Sequence, residues 1–79
     1  MRKIEKDMCL AIGQKRSWKD ANTSVEYQQG IDCARVYLHG NHIGTYVYSL
    51  NKLEVNKETL ARWPTRTTKS RLRALGATV

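Results

Sequence analysis

The sequence predicts one small α+β domain, residues 1–79, built from an N-terminal helix, an antiparallel meander of three or four strands, and a basic C-terminal helix. Apolar residues at helical spacing open the chain, segments rich in β-branched and aromatic residues flank a glycine turn in the middle, and a capped basic segment ends it. With 41% hydrophobic residues the composition is that of a folded chain. No apolar run approaches the length of a membrane helix, so we expect no membrane association.

The first helix is predicted from Met1 to Gln14, with Gly13 as its C-terminal stop. Its apolar residues recur at three- and four-residue steps and therefore share one stripe. They are Met1, Ile4, Met8, Ala11 and Ile12. The following segment, 15–19, reads as a basic connector whose Trp18 covers the edge of the core, with an exposed stacking role as the alternative.

Four strand candidates follow, and the middle pair carries the strongest signal. The candidates are 22–28, 31–39, 42–48 and 53–56. Between the second and third stands Gly40-Asn41, and glycine at the first central position predicts a type II′ hairpin turn. In that register His39 opposes His42. One face then collects the apolar residues Ala34, Val36, Leu38, Ile43 and Val47, with Thr45, and both helices are expected to cover it.

The other face of this predicted hairpin collects Cys33, Arg35, Tyr37, His39, His42, Tyr46 and Tyr48. Two interpretations stay open for it. Tyr37, Tyr46 and Tyr48 beside Arg35 are typical of a stacking platform for single-stranded nucleic acid. Alternatively, the helices or a second copy of the chain cover these rings. The side taken by Leu53 and Val55 depends on the length of the turn before them, which the sequence does not fix.

The last helix is predicted from Arg66 to Leu75, with Thr65 as N-cap and Gly76 as stop. The preceding segment, 58–63, reads as a short connector or a helical turn, ended by Pro64. Thr68, Leu72 and Leu75 form its inward stripe. At 100° per residue, Arg66, Lys69 and Arg73 cluster on the adjoining face, and Arg71 falls on the far flank.

Charge points to the kind of partner. The chain has 14 Lys and Arg against 7 Asp and Glu, and a net charge of +7. Residues 1–19 hold six bases and two acids, residues 20–61 three bases and five acids, and residues 62–79 five bases and no acid. A basic head and tail around a slightly acidic middle predict a face that meets a polyanion or an acidic protein.

The function we expect is therefore non-enzymatic binding of nucleic acid through the last helix, with DNA and RNA equally open. Phosphate would be neutralised by four cations of the helix, helped by three from the basic connector, while two threonine hydroxyls fix the register. These residues are Arg66, Lys69, Arg71 and Arg73; Lys15, Arg16 and Lys19; and Thr65 and Thr67. An inhibitor of a host protein is the alternative, with Tyr37, Tyr46 and Trp63 as contact residues. A homodimer is left open.

Cysteine and histidine give a third, weaker interpretation. Cys9 and Cys33 are expected to be reduced, because small disulfide-stabilised proteins carry more cysteines and the N-terminus lacks a signal peptide. A zinc site would combine Cys33, His39 and His42 with Cys9, but that spacing matches no closed structural site. No nucleophile–base pair has diagnostic spacing either. We expect no metal, no cofactor and no enzymatic activity.

Two segments carry a resemblance to a known group of proteins. These are 36–43 (VYLHGNHI) and 63–75 (WPTRTTKSRLRAL). They resemble small bacteriophage accessory or early proteins, in which a strand ending in Leu-His-Gly-Asn precedes a Trp, a Thr-rich run and a basic Ser-Arg-Leu helix. The likeness covers most of the chain, although Arg62 stands where that group has Gly. It implies a phage protein of the bacterial cytoplasm, often one that binds and inhibits host machinery in host takeover or anti-defence.

Overall fold

The computed structural model describes residues 2–79 and confirms the α+β class. A five-stranded antiparallel sheet has its strands in chain order, and within residues 2–79 three α-helices and a short 3-10 helix (Tyr48–Leu50) accompany it. The elements are α1 (Lys3–Gly13), β1 (Trp18–Asp20), β2 (Thr23–Gln28), β3 (Cys33–Leu38), β4 (Asn41–Val47), β5 (Lys52–Val55), α2 (Lys57–Arg62) and α3 (Arg66–Ala74). Strand β1 was not expected, because Trp18 and Lys19 end the predicted basic connector and Asp20 follows it. Helix α2 takes up most of the segment 58–63, for which a connector or a helical turn was expected.

Helices α1 and α3 pack on one face of the sheet, as expected. Met8 and Ile12 of α1 and Leu72 of α3 are buried against strand residues of that face. The strands contribute Val25, Ala34, Val36, Leu38, Ile43 and Leu53. Of the stripe predicted for α1, Ile4 is half-buried and Met1 lies outside the described residues. Among the described residues, neither α1 nor α3 packs on the opposite face of the sheet, which we call the uncovered face.

The hairpin turn differs from the predicted one by one residue. Leu38 pairs with Asn41, so the two turn residues are His39 and Gly40 rather than Gly40 and Asn41. Both have positive φ, 52° and 79°, which is the requirement of a type I′ turn and not of type II′. Histidine tolerates this conformation better than most residues, and the sequence alone did not reveal that it was adopted.

A β-bulge then changes which residues of β4 share a face. Tyr37 pairs with His42 but Val36 pairs with Gly44, so Ile43 is the extra residue. From there on the alternation is reversed relative to the prediction. Thr45 and Val47 lie on the uncovered face, while Tyr46 lies on the helix-covered face opposite Ala34. The predicted face of three tyrosines is therefore wrong.

Strand β5 continues the same register. Leu53 pairs with Tyr46 and Val55 with Gly44, which places Leu53 and Val55 on the covered face and settles the point that the sequence left open. Gly44 has a local role here. A Cβ at this position would lie 3.2 Å from the Glu54 carbonyl oxygen and 3.4 Å from Leu72 Cδ2, so a side chain would separate β5 and α3 from β4.

Candidate nucleic-acid interface

Helix α3 begins as the sequence predicts. The Thr65 hydroxyl accepts a hydrogen bond from the backbone N–H of Thr68 at 3.2 Å, which caps the first turn. Thr68 and Leu72 are buried, and Gly76, with φ of 98°, follows the last turn. The inward side of the helix is thereby fixed, and with it the direction in which the remaining side chains point.

Three cations line the outer side of α3. Arg66, Lys69 and Arg73 border one shallow groove together with Pro64. They fall within about 60° around the helix, and the first and last are about 10 Å apart along its axis. Of the three ion pairs within residues 2–79, none involves these side chains. We call Arg66, Lys69 and Arg73 the cationic row; its one recorded side-chain bond runs from Arg73 Nε to the Val79 carbonyl oxygen, 2.7 Å.

Arg71 does not belong to this row, contrary to expectation. Its side chain is buried, its Nη1 donates to Glu5 Oε2 at 2.8 Å, and its Nε donates to the Thr23 hydroxyl at 3.0 Å. The guanidinium is therefore bonded within the protein, between α1, α3 and β2. A buried cation whose partner is removed destabilises a fold strongly, so Arg71 is a structural residue and not a phosphate ligand.

Glu5 is held as a carboxylate by its neighbours. Burial opposes its charge, but hydrogen bonds from Ser70, from Arg71 and from the backbone N–H of Arg2, together with the charge of Arg71, outweigh burial. They hold the pKa of Glu5 below its ordinary value. Glu5 is therefore ionised at neutral pH and compensates the charge of Arg71, so the hydrogen bond between the two side chains is kept.

The cations of the predicted connector are placed apart from one another. Lys15 is tied to Asp32 by an ion pair of 3.1 Å, and its Nζ also lies 4.8 Å from the centroid of the Tyr48 ring. Arg16 and Lys19 are exposed, and Lys19 pairs with Ser24 on the uncovered face of the sheet. The structure does not bring these side chains into the groove of the cationic row, so they add to the overall charge and not to one continuous site.

Trp63 stands beside the row and is 51% exposed. It ends α2, with its backbone N–H bonded to the Thr59 carbonyl at 2.8 Å, and Pro64 stops the helix. The indole borders a groove between α2, the start of α3 and the β3–β4 hairpin. The groove is lined by Leu38, His39, Asn41, Ile43, Thr59, Trp63, Thr65, Thr67 and Thr68.

The predicted stacking platform is divided between two faces. Tyr37 and Arg35 remain on the uncovered face, where the Tyr37 ring lies 5.5 Å from the ring of His42. Tyr46 faces the helices, and the Tyr48 hydroxyl donates to the Ile12 carbonyl of α1. Burial raises the pKa of Tyr48. Tyr46 and Tyr48 therefore help to close the core, and one tyrosine is left beside Arg35.

The cysteines and histidines do not converge. Within residues 2–79 no three His, Cys, Asp or Glu side chains are close enough to hold a metal ion, and both cysteines are free thiols. Cys9 donates to the Ala74 carbonyl, and both His42 ring nitrogens lie within hydrogen-bond distance of side chains, Thr45 on one side and Asn56 on the other. The bonds from Cys9 to Ala74 and between His42 and Asn56 connect separate segments of the fold with one another.

Sequence reasoning missed two groups of residues. The buried network of Glu5, Thr23 and Ser70 had a partial signal, because Glu5 precedes Met8 by three residues and Ile12 by seven and so falls on the inward stripe. The groove beside Trp63 had no signal in the sequence, because the hairpin residues Leu38 and His39 come close to α3 only in the tertiary fold. Over residues 2–79, none of the helices has the length and apolar character needed to cross a bilayer.

The described features define the chain as a small α+β protein with a cationic row on its last helix. The sequence model of the family described as Kyanoviridae Gp96 protein matches residues 1–79, and the chain belongs to this family of bacteriophage proteins. No curated protein and no solved structure matches it. The phage origin implied by the resemblance is thereby confirmed, and the accessory or early role stays a prediction.

Proposed function

We propose that this phage protein is a non-enzymatic nucleic-acid-binding protein of the infected bacterial cytoplasm, and that it binds through the cationic row. The observation that carries the proposal is the contrast between cations on α3. Arg71 is neutralised by Glu5, whereas within residues 2–79 no acidic side chain pairs with Arg66, Lys69 or Arg73, which share one groove; Arg73 also donates to the main-chain oxygen of Val79. Cations in a row that no acidic side chain neutralises can bind phosphates and release counterions, which is the main source of sequence-independent affinity.

The overall charge supports the same proposal. The net charge is +7 and the pI about 9.8. Three of the seven acidic side chains are already used by Arg71, Lys15 and Arg62. The long-range field is therefore positive, and it would steer a polyanion toward the protein before the row makes contact.

Charge neutralisation tests the proposal. Arg66→Gln, Lys69→Gln and Arg73→Gln each remove one cation of the row, and Arg35→Gln removes the same charge from the uncovered face of the sheet. Fluorescence anisotropy of a labelled oligonucleotide should show weaker binding for each row variant and nearly unchanged binding for Arg35→Gln. Equal weakening in all four variants would mean that net charge alone, and not the row, governs binding.

A host-protein inhibitor is the second candidate, and a different observation favours it. Ile31 and Leu50 are 63% and 61% exposed. Ile31 lies in the turn between β2 and β3 and Leu50 in the short 3-10 helix between β4 and β5, at the same end of the sheet. Large exposed apolar side chains are typical of protein contacts. A pull-down from nuclease-treated bacterial lysate separates the candidates, since a stoichiometric partner that survives nuclease and is lost in Ile31→Ser and Leu50→Ser would favour inhibition.

A further inference from the structure

The backbone that carries the exposed indole of Trp63 is held in place. Its residue is bonded through the backbone to Thr59, and Pro64 restricts the chain immediately after it. The side chain is nevertheless 51% exposed. A large exposed aromatic ring on a restrained backbone offers its face to another planar group.

The groove beside the indole has the size and chemistry for one such group. Its volume is about 210 Å³, below the 300–1,000 Å³ typical of pockets for drug-sized ligands. Leu38 and Ile43 provide an apolar floor, while Asn41 and Thr67 provide polar groups at its border. Within residues 2–79 no side-chain hydrogen bond is recorded for Asn41 or Thr67, so both remain available to the edge of a base.

The groove and the cationic row meet at the start of α3. Thr65 lines the groove and Arg66 belongs to the row. Consecutive Cα atoms are about 3.8 Å apart, so the two sites adjoin within a single peptide unit. One nucleotide can therefore place its base in the groove while its phosphate faces Arg66, and the following phosphates run toward Lys69 and Arg73.

From this arrangement we infer that the site takes an unpaired nucleic-acid strand, with one base stacked on Trp63 and the backbone along the cationic row. In a duplex the faces of the bases are covered by their neighbours, whereas in a single strand an unstacked base can lie on an aromatic side chain. The inference rests on the proposed function and adds to it the kind of nucleic acid that is bound.

Tryptophan fluorescence tests stacking directly. Trp18→Phe leaves Trp63 as the single tryptophan of the chain. Titration with an oligothymidine of about twelve nucleotides, a length within the usual site sizes, should quench the remaining emission. Unchanged emission with an oligothymidine that anisotropy shows to be bound would overturn the inference.

Affinity variants give the second arm of the test. Trp63→Ala should weaken binding of the oligothymidine about 5- to 150-fold, while Trp63→Phe retains most of the affinity and Trp18→Phe leaves it unchanged. Wild-type protein should bind this strand more tightly than a duplex of equal length at the same salt. Tighter binding of the duplex, or no effect of Trp63→Ala, overturns the inference but leaves the proposed function standing. Absence of binding to either nucleic acid overturns both.

Discussion

Arg71 of α3 and Glu5 of α1 form a buried ion pair of 2.8 Å across 66 positions of the chain. Both side chains are at most 5% exposed. Ser70 and Thr23 complete the network, so the charge of each group is matched by hydrogen bonds as well as by its partner. The pair fixes α3 against α1 and β2 and thereby orients the outer side of α3, where the cationic row lies.

Breaking this pair should destabilise the fold strongly. We expect Glu5→Leu and Arg71→Met each to lower the free energy of unfolding by about 3–5 kcal/mol, because each leaves a buried charge without its partner. The double variant should lose much less than the sum of the two. Urea unfolding monitored by circular dichroism measures all three.

The exposed pair of Arg62 and Glu58 is the matched control. Its atoms are 4.0 Å apart and its side chains 72% and 83% exposed. Glu58→Gln should change the free energy of unfolding by less than about 1 kcal/mol. Additive losses for the Glu5 and Arg71 variants would contradict a coupled buried pair.

Acid should weaken the same network. The pKa of Glu5 is lowered from 4.5 in the folded protein, so its contribution to stability is complete above its unfolded pKa and is lost as pH falls through the lower native value. The difference in stability between wild type and Glu5→Gln should therefore be constant at neutral pH and shrink in strong acid. Urea unfolding over this pH range measures it. The control is Glu54→Gln, because Glu54 is exposed and has no ion pair within residues 2–79. A difference in stability between wild type and Glu5→Gln that grows toward low pH would contradict a lowered pKa of Glu5.

Gly44 should resist substitution. An alanine Cβ would lie within 3.4 Å of atoms of three residues, one of them the Glu54 backbone oxygen. Gly44→Ala is expected to cost about 1–3 kcal/mol through overpacking. Gly13→Ala, where nothing lies within 4 Å, should be neutral or stabilising in thermal unfolding. Equal melting temperatures for the two variants would argue against the close approach of β4, β5 and α3.

The hairpin turn should prefer residues that accept positive φ. His39 has φ of 52° and precedes Gly40 in the turn. His39→Asn should raise the melting temperature, since Asn-Gly is favoured in type I′ turns, and His39→Val should lower it by straining a β-branched residue. The expected order in thermal unfolding is therefore Asn above His above Val. A valine variant as stable as wild type would contradict the turn.

Helices α1 and α3 were predictable because their signals are local, whereas α2 lies in a segment that the sequence presented as a connector or a helical turn. The cap at Thr65 and the inward positions of Thr68 and Leu72 follow from spacing and turn chemistry alone. The register of β4 was not predictable, because a bulge at Ile43 reverses the alternation of its side chains between the two faces and leaves no mark in the composition. The burial of Arg71 depends on Glu5, far away in the chain, so helical periodicity placed its Cα correctly but gave no account of its partner.

Within the candidate site, only the cationic row was predictable as a group. Arg66, Lys69 and Arg73 are related by helical spacing and were grouped from the sequence. Trp63 was named as a contact residue, but its groove requires the hairpin to lie against the start of α3. The prediction of a tyrosine platform was wrong because it extended the register of the hairpin past the bulge at Ile43, which the sequence does not reveal.

The salt dependence of binding tests the central claim most directly. The affinity for a single-stranded oligonucleotide, measured by anisotropy from about 50 to 200 mM salt, should fall with a log–log slope of at least about 2, as three phosphate contacts require. The variant carrying Arg66→Gln, Lys69→Gln and Arg73→Gln should lose about two units of that slope. A flat response of the wild type, or an equal slope in the triple variant, would contradict binding through the cationic row.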